Sequence, residues 1–404
     1  MIEKKKDTIW TPLFIGIFIA NSCQNFGQQM LNTLIPKYAD SLGAAAALVG
    51  FVSSVFSVSA ILIRPFSAPA SDSLSKKKLV IFSMGLIFVS MVGYSFSTDV
   101  RMIIAFRLLQ GIGKGICDPI CLALASNSLP ESRLASGLGI YSAGMAVAQA
   151  IGPTIGLNLC ANFGYRVPFI VGAVLMAVAV VCAFFLQEPQ EERLPFKISL
   201  SRIVAPRAVP IALLTTLVTV TYATWNSFLA IYGGAMGITQ IGLYFTAYAV
   251  VLVFMRPVFG SLADKFGLTK IIYPALGFFA LNTFLIARFR TLAGVIIAGI
   301  VGAFGYGALQ PLLQTNCMQS VPRNQRGAAG NTNYLFTDFG MLLGPVIGGW
   351  AVDRMKTAGF DEVTCYSRMY LIMLIPIAVG AVYLFLVKGI INRNIELSAQ
   401  ENSN

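Results

Sequence analysis

Of 404 residues, 56% are hydrophobic and 11% charged, against roughly 25% charged in an average soluble domain, so no water-soluble surface can be built from this chain. The net charge of +12 invites a nucleic-acid reading, but the basic residues sit in short stretches between apolar runs, a membrane pattern that argues against a nucleic-acid partner. Seven cysteines without a CxxC pair, and no histidine, argue against a metal site and against a disulfide framework.

Apolar runs of 18 or more residues, the length that crosses about 30 Å of hydrocarbon as a helix, recur from end to end. The first, from about Thr11, carries Asn21, Gln24, Asn25 and Gln28 and has no small-residue cleavage site after a short apolar core. It is expected to remain as the first span rather than to leave as a signal peptide. The next five spans are predicted at 46–70, 79–99, 101–124, 134–160 and 166–187, following a first at 11–36. The second six are predicted at 209–232, 238–262, 271–289, 293–318, 327–352 and 367–388. The expected division is an N-terminal six-helix bundle over 1–187, a polar amphipathic linker over 188–208 and a C-terminal bundle over 209–404 ending in a short tail.

The count of twelve rests on an internal repeat. Arg64 to Lys78 reads RPFSAPASDSLSKKK, and 192 residues later Arg256 to Lys270 reads RPVFGSLADKFGLTK. Each copy has Arg-Pro, an aspartate eight residues after the arginine, and lysine beyond, which is how a duplicated membrane bundle looks. The fold class is therefore an all-α polytopic membrane protein with two pseudo-symmetric six-helix bundles. With the amino terminus inside, nineteen lysines and arginines, Arg64 among them, fall on the inner face against eight on the outer. This asymmetry puts both termini and the linker in the cytoplasm.

Three motifs give the chain a likeness. Gly260-Ser261-Leu262-Ala263-Asp264-Lys265-Phe266-Gly267 closes the eighth span, and a looser copy with Asp72 and Lys76 closes the second. Arg107-Leu108-Leu109-Gln110-Gly111 lies in the fourth span. Gly340 to Gly349, with Gly344-Pro345, lies in the eleventh and is echoed by Gly152-Pro153-Thr154-Ile155-Gly156 in the fifth. Over its whole length the chain resembles the major facilitator superfamily of secondary transporters, and in motif content its twelve-span drug:proton antiporters. The resemblance implies that Asp72, Lys76, Arg256 and Asp264 form a cytoplasmic latch between the bundles. It also implies that Arg107 serves proton coupling and that Gly152, Pro153, Gly344 and Pro345 are helix-packing positions.

In such a bundle the solute site lies near the midplane between the halves. Asn21, Asn25, Gln28 and Asn32 are spaced by four, three and four, hence on one helical face. The seventh span offers Tyr222, Trp225 and Asn226, the tenth Tyr306 and Gln310, the eleventh Tyr334. Gln110, Lys114 and Asp118 stand one turn above another in the fourth span. Lys114 lies roughly 18 Å deep, where an ion costs about 2.5–3.5 kcal/mol unless paired or facing water. With no histidine, proton movement would run through carboxylates such as Asp118 or Asp338.

No cofactor, catalytic chemistry or phosphate-binding loop is read from the sequence. The leading reading is a monomeric secondary transporter of the inner or plasma membrane that exports a small organic solute in exchange for protons. Two others stay open: an organic anion symporter or exchanger with Lys114 as counter-charge, and a sensor, channel or intramembrane enzyme on the same bundle.

Overall fold

The computed structural model describes residues 8–129, 134–187, 203–266, 268–322 and 325–403. Fourteen α-helices are described among them. In the first half these are α1 (Pro12–Asn32), α2 (Leu34–Ser41), α3 (Ala46–Ser73), α4 (Lys76–Phe96), α5 (Val100–Asn127), α6 (Leu134–Phe163) and α7 (Arg166–Phe184). The second half holds α8 (Val209–Ala235), α9 (Gly242–Phe266), α10 (Leu268–Arg288), α11 (Leu292–Gln319), α12 (Arg326–Thr357), α13 (Glu362–Ile372) and α14 (Leu374–Ser403). Short breaks at Thr33 and Met373 divide the first and last spans, so the fourteen helices make twelve crossings. Nine of the described segments are long and apolar enough by composition alone to cross a bilayer. The first span has buried Asn21, Gln24, Asn25 and Gln28, whose polarity lowers its mean hydropathy.

Local chemistry sets the helix ends. Thr11, Ser75, Asp99, Thr291 and Asp361 each accept a backbone N–H from the first turn that follows, which satisfies donors the helix itself leaves free. Gly164 and Gly359 turn the chain after α6 and α12 at φ of 78° and 86°, a conformation costly for any residue with a Cβ. They occupy corresponding connections of the two halves. Large apolar side chains such as Phe185, Phe254 and Leu386 point outward, as a lipid-facing surface requires.

Within the first half α1 packs on α6 and α7, and α5 on α3 and α4. The second half repeats this, α8 packing on α12 and α11 on α9 and α10. The halves meet along two seams, α3 against α12 and α6 against α9. Gly50 lets α3 approach the Pro345 carbonyl of α12 so closely that a Cβ would collide with it. At the end of this seam remote from the chain termini, the Asp353 carboxylate accepts the N–H groups of Ala46 (3.0 Å) and Ala47 (2.8 Å). On the other seam and at the same end, the Thr154 hydroxyl bonds to the Gly242 carbonyl and the Thr246 hydroxyl, each at 2.9 Å. That face is held shut by contacts from both seams.

Two sequence expectations need correction. Arg64 is not a surface charge: only 2% exposed, it lies inside α3 and reaches across to α12. The short tail expected after residue 388 is helix, since α14 runs to Ser403. Arg207 pairs with Glu401 at 2.9 Å, and Asn394 donates to the Arg207 carbonyl, so this extension docks on the start of α8. Most of the expected linker, 188–202, lies outside the described residues.

Candidate functional site

The core of the first half is a polar network between α1 and α5. Lys114 Nζ lies 3.0 Å from the Asp118 carboxylate, and both side chains keep 14–18% exposure. Gln24 Nε2 donates to the same carboxylate at 2.9 Å, while the Cys117 thiol lies 2.9 Å from Gln24 Oε1. One turn away, Gln110 Nε2 donates to Gln28 Oε1 at 2.8 Å, and Gln28 Nε2 donates to Asn32 at 2.7 Å. Asn25 turns back on the Asn21 carbonyl. Of the expected helical face of the first span, Gln28 joins α5 through Gln110 and passes the chain of bonds to Asn32, while the ion pair is reached by Gln24.

Arg107 is 1% exposed and has no carboxylate beside it among the described residues. Its N–H groups go to the carbonyls of Val52 and Ser53 and to Gln110 Oε1, and its guanidinium lies 4.5 Å from the centre of the Phe56 ring. Tyr94 completes the cluster by donating to Gln110 at 2.8 Å.

The facing core of the second half is aromatic. Tyr222 and Tyr306 stack with ring centres 3.8 Å apart and planes 5° from parallel. Trp225 meets Tyr222 edge-on at 5.1 Å and also touches the rings of Tyr244 and Tyr248. Gln149, crossing from α6, donates to the Tyr222 hydroxyl at 2.9 Å. Asn226 is buried one turn above Tyr222, while Gln310, one turn from Tyr306, is half-buried.

Asp338 is brought not to Lys114 but to Arg64, with which it forms a buried ion pair across the α3–α12 seam. The Tyr334 ring lies 5.1 Å from the same guanidinium. An ion pair this dry is held by its partner charge, because removing either leaves an uncompensated buried ion. Gly152 of the fifth span packs on Gln29 and Met30 of α1, and Gly344 of the eleventh on the Val220 carbonyl of α8. Pro153 and Pro345 are accommodated inside α6 and α12. Lys76 is the first residue of α4 and half-buried. The side chains of Asp72, Arg256 and Asp264 lie outside the described residues.

Three residues that organise this region were not among the candidates: Gln24, Arg64 and Asp353. Gln24 precedes Gln28 by one helical turn and could have been found from that spacing. Arg64 was masked by the adjacent proline and by its place in a charged repeat. The signal for Asp353 is subtler, an apolar Ala45 where α3 would otherwise carry its own capping side chain.

Comparison with known proteins agrees with the fold. The chain is 25% identical to Multidrug resistance protein 1 of Bacillus subtilis over 364 residues, 87% of this chain and 91% of the relative. It is 25% identical to the multi-drug resistance efflux pump PmrA of Streptococcus pneumoniae over 78% of this chain and 82% of that protein. Among solved structures, a bacterial homolog to the human lysosomal transporter Spinster, inward-facing and occupied, superposes with a TM-score of 0.77 at 15% identity, covering 94% of this chain and 97% of the other. The profile of the Major Facilitator Superfamily matches residues 17–239 and 211–401. With a match to both halves of a duplicated twelve-crossing bundle, the chain belongs to the Major Facilitator Superfamily.

Proposed function

We propose that this protein is a proton-coupled exporter of small organic solutes in the cell membrane, working as a monomer with both termini in the cytoplasm. The observation that carries the reading is the Lys114–Asp118 pair, deep in α5 and still partly exposed between the halves. A carboxylate so placed can hold a proton in one state and a lysine in the other, and exposure gives it a path to water. Asp338, tied to Arg64 on the seam that must move when the halves rock, is the second acid of the cycle. The names of the relatives, multidrug resistance protein and multi-drug efflux pump, support outward movement of organic compounds.

Alternating access requires one face to close while the other opens. The contacts of Asp353 and Thr154 close the face remote from the termini, which leaves loading from the cytoplasmic side. Asp72, Lys76, Arg256 and Asp264 are assigned to the latch of that cytoplasmic side, at the ends of the 1–187 and 209–404 bundles. The amides of the first half orient the solute, and Tyr222, Trp225, Asn226, Tyr306, Gln310 and Tyr334 supply contact area with few charges. Nothing in this cycle requires a cofactor or covalent chemistry.

The test is proton movement in proteoliposomes of the purified protein, read by a trapped pH dye as organic amines, acids and neutral compounds are added. Proton flow opposite to the solute, lost in Asp118→Asn or Asp338→Asn, is the expected result. Solute flux that persists without any proton signal in the unmodified protein would overturn the coupling.

A further inference from the structure

Arg64 ties the two halves together and has a donor to spare. Its Nε donates to the Asp338 carboxylate across the α3–α12 seam, while Nη1 is buried and meets no acceptor among the described residues. A guanidinium carries five N–H groups in a fixed fork, so one carboxylate does not exhaust it. Eighteen residues after Ala46, Arg64 lies roughly 27 Å along α3 from the mouth that Asp353 closes. It belongs to the inner stretch of the seam, which must part for a solute to enter from the cytoplasm.

A second carboxylate stands in its own half. Helices α3 and α5 run side by side in one direction and in a fixed register. Arg107 donates to the Val52 carbonyl at 3.1 Å, Gly111 packs on the Phe56 carbonyl and Gly115 on the Ala60 carbonyl, each pair 55 residues apart in the chain. A Cβ on Gly111 would lie 2.0 Å from that carbonyl, and one on Gly115 2.2 Å from the Ile63 side chain, so the register has no room to slip. Continued by one turn, it sets Arg64 beside Pro119, the neighbour of Asp118. Asp118 already acts on the Arg64 guanidinium through space, after Asp338. Its carboxylate, with about four acceptor sites, keeps capacity beside Lys114 and Gln24. The backbone there is also loosened. Pro65 and Pro69 lie inside α3 without the N–H that would bond back one turn, so the helix around Arg64 bends more readily than a continuous one.

We propose that Arg64 is a two-position switch that holds Asp338 while the inner ends of α3 and α12 touch and turns to Asp118 when they part. A buried guanidinium stripped of its carboxylate would oppose the parting. The second acid removes that opposition and keeps the cation in the first half, while Asp338 leaves with α12 and faces the opened mouth. Arg64 is thus a positioning residue, through which the two acids alternate. The inference rests on the rocking of the halves proposed above. Its test uses neither solute nor proton gradient, so its failure leaves proton exchange standing, and absence of proton exchange leaves the switch standing.

The experiment measures the separation of the inner ends of α3 and α12 by pulsed electron resonance on the detergent-purified full chain at neutral pH. Nitroxides are carried by Leu74→Cys, at the end of α3, and Gln325→Cys, at the start of α12, both exposed positions. The half-buried thiols are removed as Cys23→Ala and Cys182→Ala, and the buried ones stay. A short and a long distance are expected. Lys114→Gln frees Asp118 for the arginine and should raise the long fraction. The deciding comparison is Lys114→Gln with Lys114→Gln/Asp118→Asn, which removes the acid without stranding the lysine. The ratio of long to short should fall at least about tenfold, a fraction of what an uncompensated buried ion costs. The same comparison in an Arg64→Gln background should leave the ratio unmoved. An unchanged ratio in the first comparison, an equal fall in both, or a single distance throughout overturns the inference.

Discussion

At the 192-residue offset of the repeat, Lys114 and Asp118 of α5 correspond to Tyr306 and Gln310 of α11. The backbone frames agree, since α5 and α11 open at Val100 and Leu292 and α6 and α12 at Leu134 and Arg326. The chemistry in those frames does not. One half places an ion pair served by Gln24 where the other stacks Tyr306 on Tyr222. Duplication has kept the positions of the helices, which depend on small residues and turn glycines, and released the side chains that face the centre. In the proposed cycle, the charge to be moved and the surface that grips the solute then sit in different halves, each free to change without unbalancing the other.

The sharpest way to break this comparison is to exchange the two chemistries. Tyr306→Lys puts an unpaired cation among the rings, at a cost of about 3–5 kcal/mol. The variant is expected to lose its monodisperse peak in size-exclusion chromatography, and Tyr306→Lys/Gln310→Asp to regain part of it. Equal loss in both would mean the two positions are not equivalent. Next in size, Asp118→Asn strands Lys114 and should lower stability in chemical unfolding by about 3 kcal/mol, the low end for a pair that is partly exposed. Lys114→Gln/Asp118→Asn should recover most of that while leaving proton movement absent.

Smaller effects sharpen the picture. Gln24→Leu removes one donor from the Asp118 carboxylate and should cost about 1.5 kcal/mol, with a larger effect on transport than on folding. A thermal scan beside a flux assay separates the two. Tyr222→Phe keeps the stack with Tyr306 but loses the acceptor for Gln149, about 1 kcal/mol. No change in melting temperature there would show that the ring, not the hydroxyl, holds α6 to α8.

Much of this was legible in the chain. The repeated Arg-Pro and aspartate gave the twofold plan, and ends such as those of α5 and α6 fall within a few residues of the apolar runs. The i, i+4 spacing of Lys114 and Asp118 also located their pair, because both residues are on one helix. What stayed hidden depends on contacts between helices distant in sequence. Asp338 meets Arg64 across 274 positions. No period in either helix announces that meeting. Tyr222 and Tyr306 were each visible as buried aromatics, but their stacking depends on the crossing of α8 and α11. The helical run to Ser403 was obscured by its charges, which mark a membrane boundary in hydropathy but not the end of a helix.

The cap on α3 has a further consequence. Ala45 cannot satisfy the first amides of its helix, and Asp353 does so from the other half. That end of α3 is therefore complete only while the halves touch, and parting them forfeits a capping interaction of about 1 kcal/mol. Opening that mouth therefore works against a small built-in return spring.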